Sequence, residues 1–133
     1  MRFGLLLAFL FLTSCNYWLG QPTGADNPVG EVKEKPGNVL VPAFSSIQAL
    51  ILNKRCVSCH SSTGRADHIP LTTFEEIMNS PRELVIPELP EESGIVISIQ
   101  RTDDKRMPSE GPALTGTEIE TIVSWIENGA LND

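Results

Sequence analysis

The chain is poor in the residues that carry most metal and nucleic-acid chemistry. It has three cysteines and two histidines in 133 residues, and its 10 lysines and arginines are outnumbered by 17 aspartates and glutamates. The resulting net charge of −7 argues against nucleic acid as a partner. Aromatic residues make up 6% of the sequence, although the 41% hydrophobic content suits a globular protein. The length fits one domain with tails. The longest apolar run, Phe3 to Leu12, is too short to cross a bilayer as a helix. A dithiol of the thioredoxin kind would need a βαβ unit, and none is visible.

What is present is concentrated in Cys56-Val57-Ser58-Cys59-His60. Two cysteines two residues apart, followed at once by histidine, form the attachment sequence of a c-type haem. Each sulfur adds to a vinyl group of the porphyrin, and these lie on neighbouring pyrroles. The spacing lets a single turn of backbone reach both, and the next residue, His60, comes beneath the ring as an iron ligand. Cys-x-x-Cys alone is also compatible with a dithiol or half of a zinc site. Zinc would want two more ligands at fixed spacing, and only His68 and Cys15 remain. A buried haem would add a large apolar body to a small core, so the haem-free chain is expected to fold poorly.

The N-terminus reads as an export signal. Met1-Arg2 supplies a positive charge and Phe3–Leu12 an apolar h-region. Leu12-Thr13-Ser14-Cys15 then resembles the bacterial lipobox, whose cysteine is lipidated and becomes the new N-terminus. Ordinary cleavage with Cys15 incidental is the alternative. Lipidation would account for the one cysteine left after the pair in the haem motif, and more than one acyl chain would hold the protein firmly on a membrane. Tyr17 and Trp18 could rest at the headgroup level or lie in a loose tail. Residues 16–42, punctuated by Gly20, Pro22, Gly24, Pro28, Gly30, Pro36, Gly37 and Pro42, lack apolar periodicity and read as a tether. A flexible coil of that length spans about 30 Å. The expected organisation is a signal peptide over 1–14, a lipid-anchored tether over 15–42 and a folded domain over 43–133.

Within that domain the spacing predicts helices. Ser45 or Ser46 can cap the first, and Ile47, Leu50 and Ile51 give it an apolar face leading into Cys56. Thr72 with Glu75, or Thr73 with Glu76, forms a capping box for a second helix, with Phe74, Ile77 and Met78 on one face. Residues 81–90 read as an extended connection. Glu91 to Arg101 alternates like a strand at Ile95, Ile97 and Ile99, but no partner strand is evident and Pro90-Glu91-Glu92 suits a helix start. Thr115 with Glu118 is a capping box, and Leu114 with Ile119 a hydrophobic staple, for a terminal helix. Its apolar face is Ile119, Ile122, Val123 and Ile126, with Trp125 at the edge and Gly129 as the stop. The loop Arg101–Pro108 holds Met107, 47 residues beyond His60. Iron held by His60 needs an opposite ligand, and a thioether suits electron transfer. A surface-packed loop methionine is the alternative. Met78 reads as core filler, His68 as a loop residue or second axial histidine, and the Pro70 carbonyl as an acceptor for the His60 ring.

Helix, Cys-x-x-Cys-His, short helix, helix, Arg-Met-Pro loop and a terminal helix ending Ser-Trp-Ile-Glu-Asn-Gly-Ala resemble a class I monohaem cytochrome c domain over roughly Phe44 to Leu131. The resemblance implies an all-α bundle of four to five helices around one covalently bound haem, its first and last helices packed across each other. It implies thioethers at Cys56 and Cys59, His60 and Met107 as axial ligands of iron, and single-electron transfer between Fe(III) and Fe(II). It also implies export, because c-type attachment in bacteria occurs outside the cytoplasmic membrane. The loop after His60 lacks the longer Gly- and Pro-rich segment of mitochondrial-type members. The expected function is a carrier on the periplasmic face, held to a membrane by lipid at Cys15, passing electrons between redox proteins such as a membrane dehydrogenase, an oxidase or another cytochrome. A carrier of this kind is not an enzyme, although it could serve as a subunit of one. Lys54, Arg55, Arg101, Lys105 and Arg106 could form a basic rim that steers an acidic partner, or be solvated charges. The competing class is a peroxidase-like enzyme or gas sensor with a weak or absent Met107 ligand.

Overall fold

The structure, a computed structural model, describes residues 39–133. Cys15, Tyr17, Trp18, the signal segment and most of the tether lie outside the described residues. Among the described residues there is no strand, and no helix is long and apolar enough to cross a membrane.

The first helical rod is built from α1 (Phe44–Ile47), a π-helical stretch Gln48–Leu52 and α2 (Asn53–Arg55). Neither predicted serine caps it. The N-cap is Ala43, and Ser46 instead accepts from the Val41 N–H at 3.0 Å and donates to the Val39 carbonyl at 3.1 Å. The first N–H groups of α1 donate to Asp133 instead: Phe44 to its side chain at 2.8 Å and Ser45 to its main-chain oxygen at 2.9 Å. Leu40 also packs against the core.

Helix α3 (Phe74–Met78) starts at Thr73, whose hydroxyl accepts from the Glu76 N–H while Glu76 accepts from the Thr73 N–H. Of the two boxes the sequence offered, this is the one formed, and Glu76 also takes the Thr72 N–H at 3.0 Å. The segment after Glu91 is helical but broken: a 3₁₀ turn, Pro90–Glu92, precedes α4 (Gly94–Gln100). Fully buried Ser93 separates them, its hydroxyl accepting from the Ile86 N–H and donating to the Leu89 carbonyl, both at 2.9 Å. Ile95, Val96 and Ile99 are buried while Ile97 is exposed, a helical face that the apparent alternation concealed.

Helix α5 (Gly116–Glu127) has the predicted capping box at Thr115 and Glu118. It ends in a Schellman arrangement: Gly129 at φ +92° donates to the Ile126 carbonyl and Ala130 to the Trp125 carbonyl, each at 2.9 Å. Trp125 is not at the edge of the buried face. It is 3% exposed, donates from its indole N–H to the Leu131 carbonyl at 2.8 Å, and sits 5.8 Å from the Phe44 ring between centroids. The first and last helices thus meet at Phe44 and Trp125, with Phe74 of α3 edge-on to Phe44 at 5.1 Å. Ile47, Ile51, Ile122 and Ile126 complete this centre. Each such side chain contributes about 1.5–3 kcal/mol on leaving water.

Candidate haem site

The first rod runs directly into the Cys-x-x-Cys-His motif. The Leu52 carbonyl accepts from both Cys56 at 2.9 Å and Val57 at 3.0 Å, so the helical spiral continues past α2. The Cys56 carbonyl then accepts from Cys59 at 3.0 Å and His60 at 2.9 Å. These bonds wind the motif into one turn, which puts positions i, i+3 and i+4 on a common side. Cys56, Cys59 and His60 therefore arrive together by local backbone geometry.

The following loop folds back around them. Ala66 donates to the Cys59 carbonyl and Leu71 to the His60 carbonyl, both at 2.9 Å. The approach is close enough that a Cβ on Gly64 would lie 2.1 Å from the Cys59 carbonyl oxygen. The fold also brings the Ile69 carbonyl oxygen to 3.0 Å from His60 Nδ1. The sequence pointed to Pro70 for this role; the acceptor is one residue earlier, because the Leu71-to-His60 bond closes the loop and turns the Ile69 carbonyl inward. An Nδ1–H donating there leaves Nε2 free to ligate.

Met107 arrives from the other direction. Its N–H donates to the Ser98 carbonyl on α4 at 2.9 Å. The turn before it is tied by Asp103, which accepts from the Lys105 N–H at 3.1 Å and pairs with Arg101 through two nitrogens. That pairing holds the Asp103 carboxyl at about 2, below the usual carboxylate range.

His60 and Met107 line the same slot. Its inner part is walled by Ile69, Leu71, Leu84, Ile95 and Ile99. Its outer part is bordered by Lys54, Ser58, Cys59, Arg65 and the segment Ser109–Pro112. Arg55, Cys56, His60, Met107 and Pro108 border both parts, so the two lie side by side. Burial pushes the Cys56 thiol up to about 11. Among the described residues, no group of three His, Cys, Asp or Glu gathers as a metal site. A slot with an apolar inner part, two cysteines on its lining, an imidazole oriented by the Ile69 carbonyl and a thioether beside it fits a covalently held haem.

Several candidates fall elsewhere. His68 is exposed and lies 3.7 Å from Asp67. Met78 packs against the core and does not border the slot. The expected basic rim divides. Lys54 and Arg55 border the slot, whereas Arg101 is paired with Asp103, and neither Lys105 nor Arg106 borders it. Sequence reading missed Arg65, which borders the outer slot and pairs with Glu110 at 2.6 Å. It also missed Leu84, brought to the wall because Gly94 and Ile95 donate to the Glu83 and Leu84 carbonyls at 2.9 and 3.0 Å. Nothing local in the sequence marks either residue, since both are brought in by long-range folding.

No curated protein and no solved structure matches the chain. A family model described as Cytochrome c matches residues 45–130, from the first rod to the end of the terminal helix. Together with the all-α architecture and the cleft at the attachment motif, that match identifies the chain as a member of the cytochrome c family, a haem-based electron carrier with covalently attached haem c and its iron.

Proposed function

We propose that this protein is a single-haem electron carrier in which Cys56 and Cys59 would bear the thioethers and His60 Nε2 and Met107 Sδ would ligate the iron. The observation that carries this reading is the shared lining of one apolar cleft by His60 and Met107, with His60 Nδ1 occupied by the Ile69 carbonyl. When bound, the group supplies a one-electron couple between ferric and ferrous iron. The protein's part is to fix its surroundings. Ile69 fixes the imidazole tautomer, Ser98 holds the main chain of Met107, and the apolar wall excludes water from the iron. A thioether and a dry wall both favour the ferrous form and raise the potential. The Ile69 carbonyl on the ring and the Ser98 carbonyl on the Met107 amide would limit rearrangement of the two ligands on electron transfer.

The outer slot, with the Cys56–Cys59 turn at its margin, is the natural port for electrons. Lys54, Arg55 and Arg65 border it with Glu110 as the one acid, which supports docking of an acidic redox partner on a protein that is acidic overall. The apolar segment before Cys15 supports export and lipid anchoring there, with the residues between Cys15 and Val39 as a tether to partners on the same membrane and the haem domain on the periplasmic face.

The test is the absorption spectrum of protein exported in a bacterium that matures c-type haem. A sharp reduced α-band, with a weak far-red thioether–iron band on oxidation that Met107→Ala abolishes, is expected. A high-spin spectrum would instead favour the enzyme or sensor reading.

A further inference from the structure

The segment Ser109–Ala113 follows Met107-Pro108, yet no backbone–backbone hydrogen bond reaches it among the described residues. Guanidinium groups hold it instead. Arg65 donates to Glu110 at 2.6 Å and to the Ser109 hydroxyl at 3.2 Å, and Arg106 reaches the Gly111 carbonyl at 3.5 Å. Arg55 donates to the Pro112 carbonyl at 2.7 Å and reaches that of Ala113 at 3.4 Å.

These three are not equivalent. Arg65 and Glu110 are 55% and 75% exposed, and such surface pairs contribute little. The Arg106 contact is long. Arg55 is 25% exposed and lies 3.6 Å from Glu118, itself 18% exposed. The other oxygen of that carboxylate accepts from the Thr115 N–H at 2.7 Å at the start of α5. Arg55 is also the residue immediately before Cys56. One planar, permanently charged group thus joins the attachment turn, the segment after Met107 and the terminal helix, a geometry that a single ammonium cannot reproduce.

We propose that Arg55 is a positioning residue for Met107: it keeps the ligand arm closed over the slot and so sets how readily an outside ligand displaces the thioether. This rests on Met107 being an iron ligand. It assigns to Arg55 a role inside the site, beyond the charge it offers a partner at the rim.

The experiment titrates ferric holoprotein with imidazole and follows loss of the far-red thioether band. Arg55→Gln should raise apparent imidazole affinity about tenfold, the scale of a lost charge-assisted hydrogen bond. Arg55→Lys, which keeps the charge and is the safer variant for folding, should raise it about threefold, and Arg65→Gln less than that. Thr115→Ala serves as control: it frees the Glu118 main-chain N–H and carboxylate from the Thr115 hydroxyl but leaves the Arg55 contacts to the Pro112 and Ala113 carbonyls, and should raise imidazole affinity far less than Arg55→Gln. The proposal is overturned if Arg55→Gln and Arg55→Lys both bind imidazole like wild type, or if Thr115→Ala matches Arg55→Gln. Met107→Ala separates this from failure of the underlying reading. If it binds imidazole no more tightly than wild type, Met107 is not the ligand; if it binds far more tightly while both Arg55 variants do not, Met107 stands and the positioning role falls.

Discussion

The Nδ1 atom of His60 lies 3.0 Å from the carbonyl oxygen of Ile69. Main-chain atoms cannot be substituted away, so the imidazole keeps this partner whatever side chain stands at 69. The loop that carries it depends on one close approach, and that approach can be tested.

Gly64 is the point of contact. A methyl group there would sit 2.1 Å from the Cys59 carbonyl oxygen, a main-chain atom with little room to move. Gly64→Ala should cost about 1–3 kcal/mol, as overpacking does elsewhere. The expected result is a reduced yield of haem-loaded protein and a lower Tm, measured by pyridine haemochrome content and thermal melting.

Replacing Met107 by Ala should lower the midpoint potential, because the thioether favours ferrous iron. Redox titration of the exported protein checks the direction, and a potential unchanged from wild type would count against thioether ligation.

Acid stability should depend on Asp103 and Glu76. Both carboxyls are held below their ordinary range, Asp103 to about 2 by its Arg101 partner and Glu76 by its bond to the Thr72 hydroxyl. A depressed carboxylate stabilises the folded state above its unfolded pKa, and that stabilisation is lost as protons add in the native state. The Asp103 contribution should therefore be intact at pH 5, fall below about pH 4 and be gone only below about pH 2. Acid melts of Asp103→Asn against wild type should converge at the low end of this range and separate at the high end.

Thr115→Ala removes the hydroxyl that accepts from the Glu118 N–H at 3.2 Å. A loss of about 0.5–2 kcal/mol is expected from denaturant melts. Ile126→Ala, at a position with no exposure, should cost about 2–5 kcal/mol and separates core loss from cap loss in the same helix.

If Cys15 is the lipid attachment point, Cys15→Ser should move the haem protein from the membrane fraction to the soluble periplasmic fraction with its spectrum unchanged. Fractionation after osmotic shock reads this directly.

How much of this was legible in the sequence follows from range. The attachment turn is fixed by five consecutive residues, and both capping boxes by residues three apart, so local reading reached them. The sequence also placed Met107 on the loop that returns to the slot. It misplaced the His60 acceptor by one residue, because which carbonyl turns inward depends on the Leu71-to-His60 bond. It set Trp125 at the edge of its helix, because burial there comes from Phe44, more than 80 positions earlier. It grouped five cations into one rim, whereas Arg101 is held by Asp103 beside it and Arg55 by carbonyls more than 50 positions away. Proximity in sequence to a ligand is a poor guide to where a long, flexible side chain finds its partner.

The Ser98 carbonyl, on the helix whose other residues wall the slot, accepts the amide of Met107. That single proton is protected from solvent only while the arm is docked. Its exchange rate in deuterated water is therefore a one-residue meter of undocking, readable by NMR in the diamagnetic ferrous state without perturbing the metal.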